Sequence, residues 1–260
     1  DGTILLFNRA AEKIFGYPRE EMVGQPLHQF ITPPRFREAA PRGLAYFAAS
    51  GKGAAVGQTL ELAGLHRSGE EFPIELSLSS MRLGGKWHAA GMVRDITERK
   101  RYQAQLERQA NFDDLTGLPN RNLLTDRLAQ AMARCRQAGK NLAVLVFNLD
   151  RFKEINDSLG RDVGDKLLRE VSGWLGTMSD MLDTIAHAGG DEFVMLAEDG
   201  ETGDAVSLAQ DILKALAQPF LVDGRELFLS ASIGIAMFPQ DGEDGETLLK
   251  NADAAMHRAK

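Results

Sequence analysis

Five consecutive residues, Gly189-Gly190-Asp191-Glu192-Phe193, set two adjacent carboxylates directly behind two glycines. Glycine lets the backbone turn tightly and lets a bulky ligand approach it. Carboxylates beside such a turn can hold a divalent cation or accept a proton. A second polar pair, Asn148 and Asp150, follows the apolar run Leu142-Ala143-Val144-Leu145-Val146-Phe147. Residues i and i+2 of a strand point to the same side, so this strand end and the glycine turn are expected to flank one site. A lone Gly-Gly-Asp is also an ordinary tight turn with a polar tip, so the chemistry depends on what surrounds it.

The elements that would position these residues follow from periodicity. In the second half, Leu124 to Arg136 reads as a helix and Leu142 to Phe147 as a fully buried strand. Val163, Leu167, Leu168, Val171, Trp174, Leu175 and Met178 recur at helical spacing. Thr184 to Ala188 and Phe193 to Ala197 form a hairpin around Gly189-Gly190, and Ala205 to Ala217 is a further amphipathic helix. Phe220 to Val222 and Glu226 to Phe238 flank the hairpin signal Asp223-Gly224. A last helix starts at Glu246. The β-α-β-β-α-β order predicts an α+β domain with an antiparallel-rich sheet and helices on one face.

The first half reads differently. Asp1-Gly2 is a turn, Ile4-Leu5-Leu6-Phe7 a strand, and Arg9 to Phe15 a short helix stopped near Gly16. A second short helix begins near Arg19, and Phe36 to Ala49 is helical after Pro33-Pro34. Three strands follow, Gln58 to Leu65, Glu71 to Met81 and Trp87 to Arg94, separated by Arg67-Ser68-Gly69 and Gly84-Gly85. Residues 97–112 lack Gly and Pro and predict a connecting helix that Thr97 could cap. Tyr102 and Leu106 begin an apolar seam on it. It reads either as a solvated connector or as a dimerising lever.

Composition bounds the function. The 260 residues, 43% hydrophobic and 26% charged, suffice for two ordinary domains. A net charge of −7 argues against a nucleic-acid binder, which needs a basic face, but not against a nucleotide ligand. The single cysteine, Cys135, cannot close an internal disulfide and excludes a structural thiolate metal site, so a cytoplasmic setting is expected. No apolar run approaches the roughly 20 residues that span a bilayer. The chain opens without Met and stops on Lys260 inside a helical pattern, so it is expected to be a fragment, with any membrane anchor or further domain outside it.

Residues 1–98 resemble a PAS domain, an antiparallel sheet with flanking helices. The resemblance rests on Asp1-Gly2-Thr3-Ile4, Asn8-Arg9-Ala10, Phe15-Gly16-Tyr17, Glu20-Glu21 with Gly24, Gly69 to Glu75, and the closing Arg94-Asp95-Ile96-Thr97-Glu98-Arg99. The first part of that family's opening strand is missing. His28, His66 and His88 sit in no pattern that compels haem ligation, and Trp87 and Phe72 read as core, so the PAS ligand is unknown.

After a linker over residues 99–112, residues 113–260 resemble a GGDEF domain of the bacterial diguanylate cyclase family. That fold has a cyclase-like, ferredoxin-like palm. Beyond the glycine turn, the resemblance is carried by Asp113-Asp114-Leu115-Thr116-Gly117-Leu118-Pro119-Asn120-Arg121, by the strand and loop Asn148 to Gly160, by Gly164-Asp165, by Ser232-Ile233-Gly234-Ile235-Ala236 and by Asn251-Ala252-Asp253-Ala254-Ala255-Met256. The resemblance implies condensation of two GTP into cyclic di-GMP and pyrophosphate across a homodimer, with Mg2+ or Mn2+. It implies that Asn156 and Asp165 bond the guanine edge, that Lys153 and Lys260 contact phosphates, and that Phe152 offers its backbone N–H. Asp191 would ligate metal and act catalytically with Glu192, and the Leu149 carbonyl would complete the metal shell.

Three departures qualify it. Asn148 stands where the family carries a metal-binding Asp, and an amide brings no charge to a Mg2+ site, so slow turnover is expected. Asp180-Met181-Leu182-Asp183 replaces the Arg-x-x-Asp product-inhibition motif, with Asp180 in place of Arg, so no inhibition site is expected. His187 replaces a frequent Arg and reads as a surface or core histidine. The stretches Pro239-Gln240-Asp241-Gly242 and Asn251 to Lys260 resemble GGDEF domains that precede an EAL phosphodiesterase domain. The alternative reading is therefore a GTP-binding regulatory module with little turnover, controlling an EAL domain beyond Lys260.

Overall fold

A computed structural model describes residues 2–38, 40–177, 184–198 and 202–260, with the backbone alone for 40 and 41. Asp1, Met178 and the expected lost inhibition motif, Asp180 to Asp183, lie outside the described residues. The chain divides into two compact units, Asp1–Gln105 and Leu106–Lys260. Among the described residues no helix is long and apolar enough to cross a membrane.

Among the described residues the first unit contains five short helices, α1 (Arg9–Phe15), α2 (Arg19–Met22), α3 (Leu27–Phe30), α4 (Pro34–Arg37) and α5 (Ala40–Ser50). Strands β1 (Thr59–Leu65), β2 (Glu71–Leu83) and β3 (Lys86–Asp95) then form an antiparallel sheet in that order. Asn8 caps α1 through the Ala11 N–H, and Gly16, at φ 77°, ends it. The expected strand Ile4 to Phe7 does not form. Only Ile4 and Phe7 are buried, Leu5 and Leu6 are exposed, and the backbone bonds of Ile4 go to the turn at Gly24 and Gln25 instead of to a strand. His28 bonds Thr32, and His66 bonds Ser68. Helix α6 (Thr97–Asn111) follows. Its cap is Asp95, which accepts from both the N–H and the hydroxyl of Thr97 at 2.8 and 2.6 Å, so Thr97 is capped and does not itself cap. Tyr102 and Leu106 are exposed.

The second unit runs α7 (Arg121–Ala138), β4 (Leu142–Leu149), α8 (Phe152–Leu159), α9 (Arg161–Gly176), β5 (Thr184–Gly189), β6 (Glu192–Glu198), α10 (Thr202–Leu216), β7 (Phe220–Val222), β8 (Arg225–Leu227), β9 (Ala231–Phe238) and α11 (Gly245–Ala259). Its main sheet has the order β5-β6-β4-β9, with every neighbouring pair antiparallel, as the ferredoxin-like core requires.

Helices cover both faces of this sheet, not one. β4 is central and buried along almost its whole length, and a strand buried on both sides needs a layer on each. Ala143, Leu145, Phe147 and Leu149 pack with α9 and α10 through Leu167, Val171 and Ile212. Leu142, Val144 and Val146 pack with α7 and α11 through Leu128, Leu248 and Met256. Two further local differences follow from backbone chemistry. The stretch read as a loop after β4 is helical, α8. The stretch read as one strand from Glu226 splits into β8 and β9, with β8 turned back on β7 through Asp223 and Gly224, both at positive φ.

Candidate functional site

The end of β4 is the hub. Asn148 lies between Glu192 of β6 and Ser232 of β9 in the sheet register. The next backbone N–H, that of Leu149, donates to the Asp191 carbonyl at 3.1 Å and so ties the glycine turn to this strand end. Asn148 and Asp150 have different partners, however. β4 stops at Leu149, and the Asp150 carboxylate accepts from the Ser230 and Ser232 hydroxyls at 2.7 and 2.9 Å. The Asn148 amide oxygen instead accepts from the Lys260 ammonium at 2.9 Å, across 112 residues of chain.

Gly189 and Gly190 have φ of 120° and 62°, where a side chain is strained. A Cβ at either would meet nothing within 4 Å, so it is the backbone conformation that calls for glycine, and the turn stays open to a ligand. Behind it His187 is 4% exposed. Its Nδ1 lies 3.0 Å from an Asp113 carboxylate oxygen, and its Nε2 lies 3.1 Å from the Gly190 carbonyl oxygen. Its backbone N–H donates to the Pro119 carbonyl at 2.9 Å, and its ring lies against Phe193 with centroids 4.9 Å apart. The histidine is thus a buried strut joining the Asp113 to Arg121 segment to the turn. Burial pushes the Asp113 carboxyl up, but bonds from the Thr116 hydroxyl and N–H and the neighbouring His187 outweigh it, and the net direction is down.

Helices α8 and α9 build a second nook. Arg151, at φ 56°, turns the chain into α8, whose N-terminus has no side-chain cap, so N–H groups of its first turn are left for an anion. Phe152 is buried at that start and Lys153 is exposed beside it. Asn156, a turn further on, holds its amide oxygen buried with no hydrogen-bond partner. Gly164 of α9 makes room for it: a Cβ there would stand 1.9 Å from that oxygen and 3.1 Å from Phe152 Cζ. Asp165 follows, half-buried. A buried acceptor without a donor costs free energy unless a ligand supplies one, and a purine edge bearing N–H groups would.

Asp191 and Glu192 are both half-buried. Burial and the neighbouring carboxylates Asp253 and Asp191 push the Glu192 carboxyl up, against Arg121 and His257, which pull it down. Asp253, itself 3.5 Å from His257, and Arg121 were not singled out as site residues from sequence. Only the docking of α11 and of the α7 start brings them to Glu192. For a divalent cation the fit is incomplete. Asp191, Glu192 and the Leu149 carbonyl remain as donors, but the Asn148 oxygen is engaged by Lys260. Among the described residues no group of three or more His, Cys, Asp or Glu side chains could hold a metal.

A family model described as diguanylate cyclase, GGDEF domain, matches residues 110–260, and one for the PAS domain matches residues 1–98. The bifunctional diguanylate cyclase/cyclic di-GMP phosphodiesterase MucR of Pseudomonas aeruginosa is 45% identical over 164 residues, covering 63% of this chain and 24% of MucR. The cyclic di-GMP phosphodiesterase NbdA of the same organism is 43% identical over 157 residues, covering 60% of this chain and 20% of NbdA. The chain therefore spans about a quarter or less of these two curated relatives. A crystal structure of a sensory box/GGDEF family protein from Caulobacter crescentus is 40% identical with a TM-score of 0.54, covering 58% of this chain and 97% of that one.

Proposed function

Because the chain belongs to the GGDEF family of diguanylate cyclases, with a PAS domain ahead of that domain, we propose that it binds GTP and condenses two GTP slowly into cyclic di-GMP. The observation that carries this reading is the orphaned Asn156 oxygen in the nook kept open by Gly164. Guanine supplies N–H donors for it and for Asp165. Lys153, the N–H of Phe152 and Lys260 would meet the phosphates.

In the reaction the ribose 3′-hydroxyl of one GTP attacks the α-phosphorus of the other. The new P–O bond forms as the bond to pyrophosphate breaks, and the hydroxyl proton passes to Asp191 or Glu192. Burial and its acidic neighbours raise the Glu192 carboxyl, which favours its taking up a proton. Each domain presents one nucleotide, so the step needs two copies face to face. A bound Mg2+ or Mn2+, held by Asp191, Glu192 and the Leu149 carbonyl, would supply charge neutralisation on the phosphates.

A second reading has its own support. With Asn148 uncharged and bonded to Lys260, the domain could hold GTP with little turnover and regulate a phosphodiesterase domain elsewhere in a longer protein. Incubating the chain with GTP and Mg2+ or Mn2+ and measuring cyclic di-GMP by chromatography separates the two. Product that rises more than linearly with protein concentration supports the dimeric cyclase. GTP binding without product at any concentration leaves the regulatory module.

A further inference from the structure

The hydrogen bond between Lys260 and Asn148 has a consequence for how phosphates are neutralised. Lys260 is carried at the end of α11, and that helix is firmly placed. Asp244 caps its start through the Thr247 N–H and hydroxyl, and Asn251 donates to the Asp241 carbonyl at 2.6 Å. Gly234 of β9 lets the helix backbone come so close that a Cβ there would stand 1.9 Å from the Ala252 oxygen. The helix backbone thus brings Lys260 beside the end of β4, where its exposed ammonium lies 2.9 Å from the amide oxygen.

An aspartate at position 148 would add a third carboxylate beside Asp191 and Glu192, so a triphosphate would meet more negative charge at this strand end. The amide removes that charge and keeps the acceptor that holds the lysine. It also weakens any Mg2+ site, since Mg2+ relies on carboxylates. We propose that the Lys260 ammonium, held in place by Asn148, neutralises the nucleotide phosphates at this strand end, so that the site takes a guanosine triphosphate with little dependence on a divalent cation. The inference rests on the nucleotide-site reading above and adds to it the charge that receives the phosphates.

The test is calorimetric binding of the α,β-methylene analogue of GTP, which cannot be condensed, with Mg2+ and with EDTA. The wild-type dissociation constants are expected to agree within about threefold between the two conditions. Lys260→Met should lose about tenfold or more in EDTA, as befits a lost charge-assisted bond. Lys260→Arg should lose much less. Asn148→Asp should bind about tenfold or more tightly with Mg2+ than with EDTA. Circular dichroism melts show whether each variant is folded, and the exposed position of Lys260 makes the two lysine variants safe for the fold. A wild-type chain that binds strongly with Mg2+ and hardly in EDTA overturns the inference and leaves the nucleotide site standing. So does a Lys260→Met variant with wild-type affinity in EDTA. Absence of binding under both conditions overturns the inference and the nucleotide site together.

Discussion

Replacing Gly164 with alanine adds one carbon 1.9 Å from the Asn156 oxygen, 2.9 Å from its Cγ and 3.1 Å from Phe152 Cζ. Two of those three atoms belong to the end of one side chain, so the overlap is relieved by swinging the Asn156 amide out of its nook. Overpacking costs about 1–3 kcal/mol, while alanine within a helix is about 1 kcal/mol better than glycine. The net loss of stability should stay below about 2 kcal/mol, and the chain should fold. Binding should suffer more. A guanine N–H left without its acceptor loses about 1–3 kcal/mol, or roughly 5- to 150-fold in affinity. Calorimetry with the α,β-methylene analogue of GTP and with its inosine counterpart, which lacks the 2-amino group, reads this directly. The wild type should prefer the guanine compound, and Gly164→Ala and Asn156→Ala should lose both affinity and preference. If Gly164→Ala kept wild-type affinity and base preference, the assignment of Asn156 to the guanine edge would be refuted.

Gly234→Ala places its Cβ against the Ala252 oxygen and the Met256 nitrogen, which are backbone and cannot swing away. It should destabilise the second unit by about 3 kcal/mol or more, read by urea denaturation. Asp113 is a carboxyl whose folded value lies below the unfolded one, although burial alone would raise it. Its contribution is present above the ordinary carboxylate range and is lost as pH falls through the folded value. Asp113→Asn should therefore cost about 1–3 kcal/mol at neutral pH and flatten the acid limb of a pH-melting curve. Glu192 has the opposite sign. Burial and its acidic neighbours favour the protonated form, so the ionised side chain destabilises the fold above its folded value. Glu192→Gln should raise the melting temperature at neutral pH while any cyclic di-GMP synthesis falls by ~100-fold or more.

Much of the framework was legible from residue order alone because it depends on local chemistry. Arg9 to Phe15 is a helix because Asn8 starts it and Gly16 stops it. The Gly189-Gly190 turn lies between two strands because only glycine takes those φ values cheaply. The run Leu142 to Phe147 was readable as a buried strand, yet its full burial also implied helices on both faces, which the motif order alone did not indicate. Helix α8 was hidden because Arg151 enters it through a left-handed residue, without a side-chain cap to mark the start.

The types of the site residues were likewise written in the chain, but their partners were not. Asp113 and His187 meet only when the segment before α7 docks on β5. Asp150 looked like a companion of Asn148 by strand periodicity, and Ser230, just before β9, and Ser232, within it, claim it instead. Lys260 and Asn148 stand 112 residues apart, and nothing in either neighbourhood announces the bond. Local propensity and backbone conformation decide elements and turns, because the interactions that set them lie within a few residues. Strand register and helix docking decide which charge faces which, so the substitution of an amide for a carboxylate at position 148 acquired its meaning only once α11 had delivered an ammonium to it.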